Sequence, residues 1–298
     1  MLYLILTGIC FGTIGLFVNI IGNDVSTVLL VAIRLLSTAG LIMTYQFFRG
    51  KQSELRFDSR EKFYYGLFGG VIGFGLTFSL YLKSLVLIPV SEAVFLHYVA
   101  FPFSTILYSS LFRGEKPSIK EILSLLGTVV GIVFIYDVGF GGKGGSLVGY
   151  SMALGSGVSY TAALIVLKEL GKTKTTLQTL FWPALFGGLS LMPVVLAGGF
   201  TFAVSGNSLT ALMGLVLIST LMGYSLFAKG LKETRAGLSS IVLIVVEPFS
   251  AVVFAILFLG ESLTVTSILG GSLIITSGLL LYSVNKRSNR KKKTEMVD

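Results

Sequence analysis

The sequence predicts an all-helical, polytopic membrane protein with ten transmembrane spans. Three observations carry that prediction. Hydrophobic residues make up 53% of the 298 positions and charged residues only 12%, about half the charge of a soluble domain. Apolar runs of about twenty residues, the length that crosses a bilayer core, recur along the whole chain. Lys and Arg gather in alternate connections between those runs. Composition also excludes some chemistry. Cys10 is the sole cysteine and His97 the sole histidine, so neither a disulfide framework nor a multi-histidine or thiolate metal site can be built.

Boundaries set by charged or Gly/Pro/Asn punctuation give spans at 2–22, 26–48, 64–87, 90–112, 119–137, 146–168, 176–198, 208–230, 236–259 and 264–284. At about 1.5 Å per residue each can cross about 30 Å of hydrocarbon. The first span lacks a basic leader and a small-residue cleavage site, so it is expected to persist as a helix.

Basic residues then orient the spans. Loop 2–3 holds Arg49, Lys51, Arg56, Arg60 and Lys62, and loop 4–5 holds Arg113, Lys116 and Lys120. Loop 6–7 holds Lys168, Lys172 and Lys174, and loop 8–9 holds Lys229, Lys232 and Arg235. The C-terminal segment adds Lys286, Arg287, Arg290, Lys291, Lys292 and Lys293. The opposite side has only Lys83 and Lys143, while Arg34 lies inside span 2. This asymmetry predicts that both termini are cytoplasmic, as in the plasma membrane of a prokaryote. The net charge of +9 therefore reads as a topology signal facing lipid headgroups, and no nucleic-acid partner is expected.

The chain also repeats itself at an offset of 146. FPFSTILYSSLFRGE at 101–115 aligns with EPFSAVVFAILFLGE at 247–261, matching Pro102 with Pro248, Gly114 with Gly260 and Glu115 with Glu261. Lys83 meets Lys229 and Tyr136 meets Tyr282. Two halves of five spans each follow: residues 1–138 and 146–284, joined by the glycine-rich 139–145 and followed by a basic tail at 285–298. Because five is odd, the second half enters the membrane from the other side, an inverted repeat of the kind secondary transporters use for alternating access. GFGGKGG at 139–145 lacks the strand and Lys-Ser/Thr context of a phosphate loop and reads as a linker.

With these features the chain resembles the drug/metabolite transporter superfamily, in its EamA-like branch. The resemblance rests on the mid-span prolines and closing Gly-Glu pairs of spans 4 and 9, and on Arg34 within LLVAIRLLSTAGLIM. The second half departs from it at Trp182-Pro183, near where an equivalent arginine would fall. The resemblance implies export or exchange of amino acids, nucleotide precursors or other small metabolites through a central cavity lined by spans 1, 3, 4, 6, 8 and 9.

Candidate site residues follow from position and chemistry. Glu247 falls near the middle of span 9, where a carboxylate costs roughly 2.5–3.5 kcal/mol on insertion scales, so it is expected to face a cavity or a partner. Ser240 and Ser250 share its helical face. Its repeat mate is Phe101, so the two halves do not carry the same chemistry. Pro102 and Pro248 each free a backbone carbonyl, at Tyr98 and Ile244, and are hinge candidates. A static kink is the alternative. His97 is either a hydrogen-bonded core residue or, with Glu247, a member of a proton-coupling pair. Tyr98 shares a face with Ser91 and Pro102. Asn19, Tyr81, Tyr160 and Tyr224 place polar tips on the cavity spans, although aromatic residues near span ends also serve as interface anchors. Lys83 and Lys229 either snorkel or contact a substrate anion. Arg34 reads as structural, paired with a carboxylate or helix-end carbonyls, and Glu115 and Glu261 as loop and helix-start geometry. Gly8/Gly12, Gly66/Gly70 and Gly127/Gly131 have the spacing for close helix approach within one chain.

Transport of a small polar or amphipathic metabolite is the function these features predict, with no cofactor and no metal. A membrane enzyme lacks a clustered catalytic set, and a sensor or scaffold lacks an output domain. A passive channel or facilitator stays open, as do protons as the coupling ion and a monomer or homodimer as the assembly.

Overall fold

The computed structural model describes residues 2–56, 64–99, 106–107, 110, 114, 116, 118–135, 146–170, 175–198, 200–203, 205–233 and 236–294. Regular structure among them is helical, apart from one isolated antiparallel bridge between Val25 and Phe202. We number the long helices α1 (Leu2–Ile21), α2 (Thr27–Phe48), α3 (Tyr65–Leu76 continuing as Thr77–Leu87), α4 (Val90–His97) and α5 (Ile119–Ile135). Then come α6 (Leu147–Leu170), α7 (Thr176–Gly198), α8 (Gly206–Gly214, Leu215–Met222 and Gly223–Glu233), α9 (Ala236–Leu259) and α10 (Val265–Thr294). Helix α10 runs past the expected end of its span, because the Lys/Arg-rich segment after it is made largely of good helix formers. Most of span 4 beyond Tyr98, including Pro102, lies outside the described residues.

Among the described residues, five helices are long and apolar enough, by length and composition, to cross a membrane: Leu2–Ile21, Thr27–Phe48, Tyr65–Leu87, Leu177–Gly198 and Gly206–Phe227. Burial follows the logic of a lipid solvent. Leu123, Leu126, Val129, Val130 and Val133 are exposed along α5, while Glu121, Ser124 and Thr128 of the same helix are buried. Hydrocarbon gives apolar side chains no reason to hide, whereas polar groups need partners inside the bundle.

Helix starts are specified locally. At α5 the Ser118 amide donates to Glu121 (2.6 Å) and the Glu121 amide to the Ser118 hydroxyl (3.4 Å), a reciprocal capping box. Thr175 and Gln178 repeat that arrangement at α7.

Packing crosses between the two halves: α1 lies against α8 and α9, α6 against α3 and α4, α2 against α7, and α5 against α10. Small residues permit the closest of these approaches. A Cβ on Gly12 would fall 2.6 Å from the Ser250 Cβ of α9, and one on Gly131 would fall 2.7 Å from the Gly270 carbonyl of α10.

Several details recur at the offset of 146. The wide π-type segments Tyr65–Leu76 and Leu215–Met222 end at equivalent positions. A threonine hydroxyl bonds back five residues at each segment, though not at equivalent positions: Thr77, just past the first, to the Ile72 carbonyl (3.3 Å) and Thr220, within the second, to that of Leu215 (2.8 Å). Gly114 and Gly260 both have positive φ, 61° and 68°, a conformation an L side chain resists. Thr13 bonds Ser219 across α1–α8 and its equivalent, Ser159, bonds Thr77 across α6–α3, both at 2.8 Å.

Candidate functional site

The polar interior converges on α4 and α9. Tyr98, just past the last turn of Val90–His97, is buried, and its hydroxyl donates to the Glu247 carboxylate of α9. Glu247 is half-buried and sits beside Pro248, with Gly8 of α1 packed against Val246 and the Glu247 backbone. Tyr81 of α3, Tyr160 of α6, Tyr224 of α8 and Arg34 of α2 all lie within electrostatic range of that carboxylate. Six helices thus contribute to one cluster.

His97 belongs to the same cluster but is tied differently. Its ring lies 4.5 Å from that of Tyr81 and 5.0 Å from that of Tyr160, centroid to centroid, while its Nδ1 pairs with the Ser156 hydroxyl at 2.9 Å. It is buried, so both the hydrogen-bonded core role and the cavity role have structural content. Tyr224 packs edge-on against Phe11 of α1 at 5.0 Å.

Arg34 is buried, with no carboxylate in ion-pair contact among the described residues: Nε donates to Thr220 Oγ1 at 3.0 Å, and the guanidinium lies 4.7 Å from the Phe78 ring centroid. The expected pairing with a carboxylate or helix-end carbonyl is therefore replaced by a hydroxyl and an aromatic face. Trp182 does not stand in for a second arginine. It donates from Nε1 to the Leu55 carbonyl at 2.7 Å, holding the short turn Gln52–Leu55 against α7. Glu54 in that turn accepts from Lys51 and Gln46, which hold its carboxyl below the usual carboxylate range.

Other candidates lie elsewhere. Asn19 is exposed and donates to the Leu85 carbonyl at 3.3 Å, apart from the tyrosine cluster. Lys83 is half-buried on α3. Pro248 lies buried inside the continuous helix α9. Pro102 and the Lys229 side chain lie outside the described residues, as does Glu115.

A second buried network escaped the sequence reading. Glu92, in the first turn of α4, accepts from the Tyr150 hydroxyl of α6 (2.6 Å) and the Ser267 hydroxyl of α10 (2.7 Å). Next to it Glu261, in the turn before α10, accepts from the Val90 amide (2.5 Å), the Ser91 amide (3.2 Å) and the Ser91 hydroxyl (2.9 Å). Glu261 therefore caps a helix in the other half of the chain rather than its own. A glutamate at the third residue of an apolar span was the available sequence signal for Glu92.

An apolar exterior around a polar, aromatic interior defines an integral membrane protein with an internal polar cluster. The comparisons with known proteins narrow that class. The model of the EamA-like transporter family matches residues 1–137 and again 147–283, and the chain belongs to that family. It is 28% identical over 295 residues to the uncharacterized inner membrane transporter YicL of Salmonella typhimurium, covering 96% of each chain. An uncharacterized transporter of Archaeoglobus fulgidus is 26% identical over 284 residues, 94% of each. The uncharacterized transporter YwfM of Bacillus subtilis is 30% identical over 142 residues, 48% of this chain and 47% of that one. A solved crystal structure superposes with a TM-score of 0.64 over 96% of this chain and 97% of that chain, at 17% identity, a likeness of fold.

Proposed function

We propose that this membrane transporter is a secondary transporter that exports or exchanges small polar or amphipathic metabolites, amino acids or related compounds, by alternating access. In this reading the halves 1–138 and 146–284 form an inverted repeat of five spans each, with both termini in the cytoplasm of a prokaryotic cell. The two family matches of equal length, the recurring π segments and the recurring Gly114/Gly260 conformation support that arrangement. Solute binds near the midplane among Tyr81, His97, Tyr98, Tyr160, Tyr224 and Glu247, and Pro102 and Pro248 act as hinges.

The observation that carries the proposal is the Tyr98–Glu247 hydrogen bond. It joins the two repeat-related helices whose relative rocking would open the site to either side, and it places an exchangeable proton on that joint. Glu247 and His97 are the proton-coupling candidates.

Counterflow in proteoliposomes tests this reading. Vesicles loaded with unlabelled amino acids should accumulate labelled amino acid transiently, and uptake should saturate with concentration. Uptake that stays linear and shows no counterflow identifies a passive channel or facilitator instead.

A further inference from the structure

Arg34 is a buried cation with an unfilled donor. It is 1% exposed. Its Nε is used by Thr220 and its face by Phe78, yet Nη1 is buried with no hydrogen-bond partner. Among the described residues the one ion pair is Lys51–Glu54, so no carboxylate lies in direct contact with the guanidinium. A buried charge left without a partner is strongly unfavourable, and buried polar donors are almost always satisfied.

The fold itself does not require this charge. The positions 146 residues from Arg34 and Thr220 are Leu180 and Phe74, and both are buried apolar residues. The equivalent positions of the other pairing therefore carry hydrocarbon where these carry a guanidinium and a hydroxyl. Phe78, whose ring covers Arg34, is the repeat mate of Tyr224, which lies within electrostatic range of the guanidinium. Tyr81, Tyr160 and Glu247 lie within the same electrostatic range of the arginine.

We propose that Arg34 is the anion-binding residue of the cavity and that its free Nη1 donates to a carboxylate on the transported solute. The guanidinium fork suits a carboxylate better than a neutral carbonyl. Glu247, within electrostatic range of Arg34, disfavours a second anion and favours a positive or neutral group at the solute's other end. This inference rests on the transport reading and deepens it, because it states which charge the solute must carry.

The test compares acids with their amides. Detergent-purified protein is titrated with alanine, phenylalanine and 3-phenylpropionate, and with alaninamide, phenylalaninamide and 3-phenylpropionamide, and thermal stabilisation is read as apparent affinity. At least one acid should stabilise the wild type while its amide does not. Arg34→Gln should weaken acid binding about tenfold or more, the loss expected for one charge-assisted hydrogen bond. Arg34→Lys should fall between, since it keeps the charge but loses the fork. Equal stabilisation by acid and amide overturns the proposal. So does no stabilisation by any acid, or wild-type affinity in Arg34→Gln. If Arg34→Gln does not fold, the acid–amide contrast in the wild type decides alone. Saturable counterflow of any solute leaves the transport reading standing when the carboxylate site fails. Absent counterflow sinks that reading even where an acid binds.

Discussion

Glu261 and Ser91 meet through two hydrogen bonds, from the Ser91 amide at 3.2 Å and its hydroxyl at 2.9 Å, although 170 residues separate them. With the Val90 amide at 2.5 Å, the carboxylate satisfies the orphan donors that begin α4 and sits at the positive end of its dipole. The turn that positions Glu261 depends on Gly260 at φ 68°.

Removing that cap should be costly. Glu261→Ala is expected to destabilise the purified protein by about 2 kcal/mol, the scale of a lost cap with charge-assisted bonds, while Glu261→Gln should cost less. Thermal unfolding in detergent measures both. Glu115 is the repeat mate of Glu261 at the offset of 146, and Glu115→Ala is expected to show a comparable loss in the same assay.

The Glu92 network gives a sharper contrast. Tyr150→Phe and Ser267→Ala each remove one of the two donors to a buried carboxylate, leaving part of its acceptor capacity unmet. Each should lower stability by about 1–3 kcal/mol. The double variant should lose more than the sum of the two, because the first loss leaves the carboxylate dependent on the remaining donor. Additive or negligible losses in the same unfolding assay would show that water replaces the hydroxyls.

Much of this was legible in sequence, and the exceptions have physical reasons. Span positions follow from runs of about twenty apolar residues, which the bilayer thickness imposes on any sequence. Tyr81, His97 and Tyr160 could be nominated as polar tips on apolar helices, and the structure brings their rings together. Partners were not legible, because they come from helices far apart in sequence. Nothing local to Glu261 points to Val90, and nothing local to Trp182 points to the Leu55 carbonyl. Asn19 has the same composition-level signal as the tyrosines but faces the end of α3. The π segments were also hidden, since a threonine's bond to the carbonyl five residues back looks like any other threonine in a helix. Arg34 looked structural because an arginine in a span usually finds an acid, and only the folded chain shows one donor left over.

The orientation of the chain is checked by labelling. In intact cells, a cysteine at Gly142 should react with an impermeant maleimide and one at Ser53 should not. Cys10 is buried and gives little background. Labelling only at Ser53 would invert the assignment drawn from the basic residues.

The paired prolines are predicted to matter for rate rather than for folding. Pro102→Ala and Pro248→Ala restore a backbone hydrogen bond, so expression and thermal stability should hold or rise slightly. Proteoliposome uptake should slow severalfold in each. Full-rate uptake in both variants would leave the prolines as static kinks.

We propose that Glu247 carries the proton that drives transport. The most direct measurement is solute accumulation by proteoliposomes with and without an imposed pH gradient, for wild type and Glu247→Gln. Wild-type accumulation should require the gradient. Glu247→Gln, nearly isosteric and unable to ionise, should lose gradient-driven accumulation by tenfold or more, about 1.4 kcal/mol of lost driving energy, yet still exchange solute for solute. Wild-type accumulation that ignores the gradient, or a Glu247→Gln variant that accumulates as the wild type does, would contradict it.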